Sequence, residues 1–209
     1  KRQEIYIKKL LKEKNKFDSF DFRNQKQVVE DLKKEIKENV YQAILPSFYF
    51  KEPKFFSSIL PLSGISNSTT VLCNESGKFS IYKSDRYGFN NPDINYDILN
   101  DKVMLIGDSF IHGACVDPED TLSSELNKVG ISSLSISYGG NGPLFQLASL
   151  IEYIDFIKPK TVIWFYAEND LPNLVIEKES NFLMQYLLKK DFSQNLALRQ
   201  TEIDDLWIQ

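Results

Sequence analysis

Three short apolar runs, spaced about 30 residues apart with helical stretches between them, constrain the fold of this 209-residue chain more than any other feature. The first, Val103-Met104-Leu105-Ile106, is unbroken and reads as a strand covered on both faces. Ile131 to Ile136 supplies a second strand, and Thr161-Val162-Ile163-Trp164-Phe165-Tyr166 a third buried one, its aromatics filling the core. Between the first two, Asp117 is a candidate N-cap with Pro118 at the first helical position, and Leu122 and Leu126 form an apolar stripe. Between the second and third, Pro143 to Ile157 carries Leu144, Leu147, Leu150, Ile151 and Ile154 at helical spacing and ends at Lys158-Pro159. Strands and helices alternating in this way form parallel βαβ units, whose right-handed crossovers put helices on both faces of one sheet. The expected class is therefore α/β, with an α/β domain over 101–209. Residues 174–209 look helical and add no further crossover strand.

Residues 1–100 read as an N-terminal helical and β-hairpin extension that packs on this core. Helical character is expected over 1–13 and over 25–41, where Val28, Val29, Leu32, Ile36 and Val40 recur at spacings near three and four. Pro46, Pro53 and Pro61 argue against regular helix in 42–66. Thr69 to Cys73 and Lys78 to Tyr82 flank Asn74-Glu75-Ser76-Gly77 as a hairpin would. Tyr87 to Pro92 is a turn-rich connector.

The net charge of −4, with no large basic excess, argues against a nucleic-acid partner, since phosphate binding needs clustered Lys and Arg. No run is apolar enough to span a bilayer, although the chain begins at Lys1 and leaves open a signal or membrane anchor upstream. Cys73 and Cys115 are either two buried thiols or one bridge, because spacing alone cannot set their separation. A bridge would point to an oxidising compartment. The lysine-rich 8–16 run is a solvated face, or would suit a juxtamembrane position behind an anchor. The compartment itself stays open, with an extracytoplasmic or membrane-anchored setting preferred to the cytoplasm.

In open parallel sheets, ligands bind beyond the carboxyl ends of the strands. Here those ends carry Gly107-Asp108-Ser109-Phe110, Tyr138-Gly139-Gly140-Asn141-Gly142 and Ala167-Glu168-Asn169-Asp170. A hydroxyl, a glycine loop with open N–H groups and a carboxamide are the parts of an acyl-transfer site. The string VMLIGDSFIHGACV (103–116) resembles the first block of the SGNH (GDSL-like) hydrolase superfamily, with Ser109 at the nucleophile. SISYGGNGP (135–143) is similar to its second block, with Gly140 at the oxyanion glycine. YAENDL (166–171) is similar to its third, with Asn169 at the oxyanion asparagine and Ala167 where the family has glycine. The resemblance covers residues 100–172 and is weaker for the lead-in 61–92. It implies a three-layer α/β/α fold on a parallel, flavodoxin-like SGNH hydrolase sheet.

The family's Asp-x-x-His motif is not found: Asp204 and Asp205 precede Leu206, Trp207 and Ile208, and His112 is the single histidine. The resemblance therefore implies either an acid–base pair beyond Gln209, with the C-terminal part of the domain missing here, or a member that has lost it. The expected mechanism is two-step acyl transfer through Ser109, with the oxyanion held by the N–H groups of Ser109 and Gly140 and the Asn169 side chain. No metal or organic cofactor is implied. By family analogy alone, the substrate is a small-molecule or glycan ester, with deacetylation of a carbohydrate or envelope glycan foremost. Lipid esterase, thioesterase and O-acyltransferase chemistry follow.

Each residue also has a plainer reading. Ser109 could cap a helix, Gly140 could serve a tight turn, and Asn169 could bond its own loop. Asp108, His112 and Asn141 are candidate substrate contacts, Asp108 also as a loop brace and His112 also as a packed core residue or, against the family's pattern, as the base. A non-catalytic binding module that kept the rim and lost the base is the rival class.

Overall fold

The computed structural model describes residues 20–50, 59–98 and 100–208. The stretch expected to be helical over 1–13 lies outside them. Within them are eight α-helices and two three-stranded sheets, an α/β architecture.

The first helix, α1 (Gln25–Glu35), opens with a capping box. Asn24 Oδ1 accepts from Gln27 N–H at 2.9 Å, and Gln27 Oε1 accepts from Asn24 N–H at 2.8 Å. It stops at Ile36, where the backbone turns extended, so Val40 belongs not to the expected helix but to a strand. That strand, β1 (Val40–Gln42), pairs in parallel with β2 (Thr69–Val71), which pairs antiparallel with β3 (Ile81–Lys83). The hairpin of β2 and β3 is the one expected; β1 beside it is an addition. Val28 and Val29 of α1 meet Val40 and Val71 in a small apolar cluster of their own.

The second sheet is wholly parallel, in the order β5–β4–β6, with β4 (Val103–Ile106) between β5 (Ser133–Ser135) and β6 (Thr161–Trp164). Met104, Leu105 and Ile106 are fully buried, as a central strand requires. The outer edge of β5 is closed by two asparagine amides. Asn91 bonds both polar groups of Ser135 at 2.8 Å, and Asn127 bonds those of Ser133 at 3.0 and 2.8 Å. Each carboxamide thus completes the hydrogen bonds a neighbouring strand would make.

The opposite edge differs from expectation. β6 is not buried: Trp164 is 43% and Tyr166 62% exposed, with Ile163 and Phe165 also open. Among the described residues β6 pairs only with β4, and its apolar composition, not its surroundings, suggested a buried position.

After β4 comes the single turn α3 (Ser109–His112), preceded in the connector by the short α2 (Asn95–Ile98). The helix expected at Asp117 begins later. Pro118–Asp120 is a 3₁₀ turn, and Thr121 caps α4 (Leu122–Lys128) by accepting from Ser124 N–H. Asp117 instead pairs with Lys78. The long helix α5 (Pro143–Ile157) has the expected bounds, with proline in its first turn and Lys158 in a left-handed C-cap. Helices α6 (Asp170–Glu177), α7 (Asn181–Leu188) and α8 (Gln200–Ile208) follow.

One cluster unites Ile59, Leu60, Leu62 and Phe89 of the extension with Met104, Ile106, Leu134, Phe145 and Leu183. Glu152 of α5 fastens the C-terminal segment. Its buried carboxylate accepts from Tyr186 Oη, Ser193 Oγ, Gln194 N and Leu196 N at 2.5–3.0 Å. The extension is bound covalently to the core as well, since Cys73 and Cys115 form a disulfide with Cα atoms 4.9 Å apart.

Candidate active site

The three strand-end loops meet at the carboxyl end of β4. Asp108, not Ser109, caps α3: its Oδ1 accepts from Phe110 N–H at 3.1 Å, leaving Ser109 as the first helical residue. The Ser109 hydroxyl and N–H bond no other described group. Ser109 is partly exposed, and its Cβ lies 3.8 Å from the point where a Cβ on Gly139 would sit.

Asn169 reaches the same place from the third loop. Its Nδ2 donates to Asp108 Oδ2 at 3.0 Å, across 61 residues of sequence. Its side chain does not cap α6. The loop itself is held by Asp170, which accepts from Ala167 N–H at 2.6 Å. Ala167 has an ordinary negative φ, so alanine fits where glycine was expected. One amide hydrogen of Asn169 is committed to Asp108 and the second is left to donate elsewhere.

Gly140 has a φ of +77°, and a Cβ there would come within 2.7 Å of Ser47 Oγ and 3.1 Å of the Phe48 ring. Glycine is required on both counts. Its N–H bonds no other described group.

Asp108, His112 and Asn141, expected to touch substrate, are all buried, and the first and second bond protein groups through their side chains. Asp108 braces Asn169 and α3, as above. Asn141, 1% exposed, donates its N–H to Tyr138 O and accepts from Gln146 Nε2 on its own carbonyl. His112, also 1% exposed, accepts from Gly139 N–H on Nδ1 at 3.3 Å and faces Tyr82 Oη with Nε2 at 3.3 Å. An accepting Nδ1 puts the ring proton on Nε2. It then donates to Tyr82, Tyr82 to Tyr138, and Tyr138 to Gly88 O. The ring also stacks on Tyr138 with centroids 4.4 Å apart. His112 is the packed residue, and its one lone pair props the glycine loop.

Burial lowers the His112 pKa to about 4. A base depressed in the fold takes its proton first in the unfolded chain, so it contributes stability at neutral pH that is lost as pH falls from about 6.5 to about 4. Asp85 and Glu177, raised by burial to about 6 and about 7, act in the opposite sense over the same range. His112→Gln keeps an acceptor and a donor but cannot charge. Thermal melts should converge with the wild type near pH 4 if the histidine drives the acid limb, and run parallel to it if not.

Two scaffolding residues had no signal in the motifs. Glu177, at the end of α6, accepts from Gly142 N–H at 2.6 Å and Leu144 N–H at 2.8 Å, a carboxylate on the positive end of α5. Gln146 donates to Asn141 O and Asp170 Oδ1 and accepts from Trp164 Nε1. Together they tie the glycine loop to the asparagine loop. The extension contributes as well: Ser47 Oγ donates to Gly139 O at 3.3 Å, from a 3₁₀ turn over Pro46–Phe48.

Among the described residues, no group of three or more His, Cys, Asp or Glu is placed to hold a metal ion. Comparisons with known protein families, curated proteins and solved structures return no match for this chain.

Proposed function

We propose that the chain carries the nucleophile and oxyanion half of a serine ester hydrolase of the SGNH kind, on a flavodoxin-like, three-layer α/β/α fold. The observation that carries this is the Asn169–Asp108 hydrogen bond, which brings the carboxamide of the third loop against the residue preceding Ser109. The unengaged N–H groups of Ser109 and Gly140 support it, as does the order β5–β4–β6, which leaves loops on either side of the central strand to form the crevice.

In the proposed reaction Ser109 Oγ attacks the ester carbonyl as its proton passes to a general base. The two N–H groups and the Asn169 amide hold the oxyanion, the C–O bond breaks, and the alcohol leaves with that proton. Water then attacks the acyl-serine and frees the acid. His112 is not that base, because its lone pair is spent on Gly139 and its other nitrogen points to Tyr82. His112 is the single histidine of the chain, so no imidazole base stands among the described residues. The same engagement of the single histidine favours the second reading, a module that binds an acyl group without turnover. Transfer to an acceptor hydroxyl instead of water would use the same groups.

An alkyl fluorophosphonate separates these. An activated Ser109 displaces fluoride and leaves one phosphonyl adduct on the peptide that contains it. Full-length protein that stays unmodified at saturating reagent sinks the hydrolase and sustains the binding module.

A further inference from the structure

Beside Ser109, Gly139 and Gly140 lies a cleft of about 310 Å³ whose walls come largely from the N-terminal extension. Ala43 and Leu45 follow β1, Phe48 stands on the 3₁₀ turn, Leu72 follows β2, and Ala114 adjoins the Cys73–Cys115 bridge. No lysine, arginine, aspartate or glutamate is among its described lining residues. His112 in its wall is held neutral at physiological pH by burial. Apart from the Ser109 and Gly140 groups assigned to the reaction, polar groups there are engaged: Gln25 Nε2 donates to the carbonyls of Val71 and Leu72, and Gly139 O accepts from Ser47. Such a surface offers apolar contact and few new hydrogen bonds.

From these walls we infer that the cleft is an acyl pocket, and that the preferred substrate is an ester of an unbranched apolar acid of about six to ten carbons rather than an acetate. This rests on Ser109 being the nucleophile, since the pocket gains its meaning from opening beside that hydroxyl. The length follows from size: a water takes about 30 Å³ of the liquid and a methylene a similar share, so the cleft holds roughly ten such groups. An acetyl group would leave most of the apolar wall wet. A preference for the longer acid departs from the foremost expectation of the sequence, a deacetylase, on the ground that Ala43, Leu45 and Leu72, whose convergence no motif announces, line the pocket.

The test is kcat/KM for p-nitrophenyl esters from acetate to decanoate. Each methylene that enters the pocket should raise the value about fourfold, so octanoate should exceed acetate by at least about a hundredfold. Ala43→Phe, which fills the cleft, should cut the octanoate-to-acetate ratio at least tenfold. That ratio is taken within one preparation and so does not depend on how much of the variant folds. Acetate turnover with a flat or falling profile overturns the acyl pocket and leaves the serine reaction standing. With no ester turned over, the hydrolase reading fails, and the affinity of the free acids, read by displacement of a fluorescent fatty acid, decides the pocket. Affinity that rises with chain length sustains it, and absence of binding overturns it.

Discussion

Ser109→Ala is expected to lower ester turnover by at least about a thousandfold, since loss of a serine nucleophile leaves only what the oxyanion donors and binding contribute. The fold should be almost untouched, which makes this substitution informative. Helix α3 is capped by Asp108, so the alanine removes no cap, and the serine hydroxyl bonds no other described group. Its loss therefore leaves no buried partner unsatisfied. Circular dichroism and thermal melting within about 0.5 kcal/mol of the wild type, beside lost turnover, would assign the effect to chemistry. Turnover that survives the substitution ends the case for Ser109. Full-length wild type that never turns over is a binding module, and its alanine variant should then bind acyl ligands as the wild type does.

The parts of the molecule that could be read in advance are those that local physics specifies. Helix α5 starts with proline and ends at Lys158-Pro159, so both its ends follow from residues inside a few positions. The unbroken Val103–Ile106 run lies in the sheet centre, as its composition demands. The gathering of the three loops was legible too, because the carboxyl ends of parallel neighbours must share one rim. What was not legible depends on partners far along the chain. Val40 continued the helical periodicity of α1, yet pairing with Thr69 drew it into β1. Trp164 and Tyr166 have the composition of a core strand, and composition does not say which strand lies at an edge. His112 is three residues after the serine and invites a functional reading, while Tyr82, Tyr138 and Gly139, which bury it, come from three separate elements. The walls of the acyl cleft were hidden for the same reason.

Gly88→Ala should be among the most damaging single substitutions in the chain, and it reports on how the lead-in supports the site. Gly88 has a φ of +81°, and a Cβ there would stand 2.1 Å from Gly64 O and 2.7 Å from Gly64 C. Those are backbone atoms, so no rotamer change relieves the clash. Gly64 cannot retreat, because it is itself packed on Tyr138, whose Oη would lie 2.1 Å from a Cβ on Gly64. Nor can Gly88 readily turn away. Its N–H donates to Asp85 O, and the Asp85 carboxylate accepts from Tyr87 N–H, Phe89 N–H, Asn91 Nδ2 and Tyr96 Oη at 2.8–2.9 Å. The segments at 64 and 88 must part, and Tyr138, which donates to Gly88 O and immediately precedes the glycine loop, moves with them. A loss of at least about 3 kcal/mol follows from overpacking added to the left-handed strain, or a fall of roughly 6–12 °C in Tm for a domain of this size. Gly130→Ala is the control. Its φ is +85°, but nothing lies within 4 Å of the added methyl, so only the strain remains, about 1 kcal/mol. If the two variants melt together, backbone conformation alone sets the cost. If Gly88→Ala falls well below Gly130→Ala and loses ester turnover in its folded fraction, the contact between the two glycine segments is what keeps Tyr138, and the Gly139-Gly140 loop after it, in place.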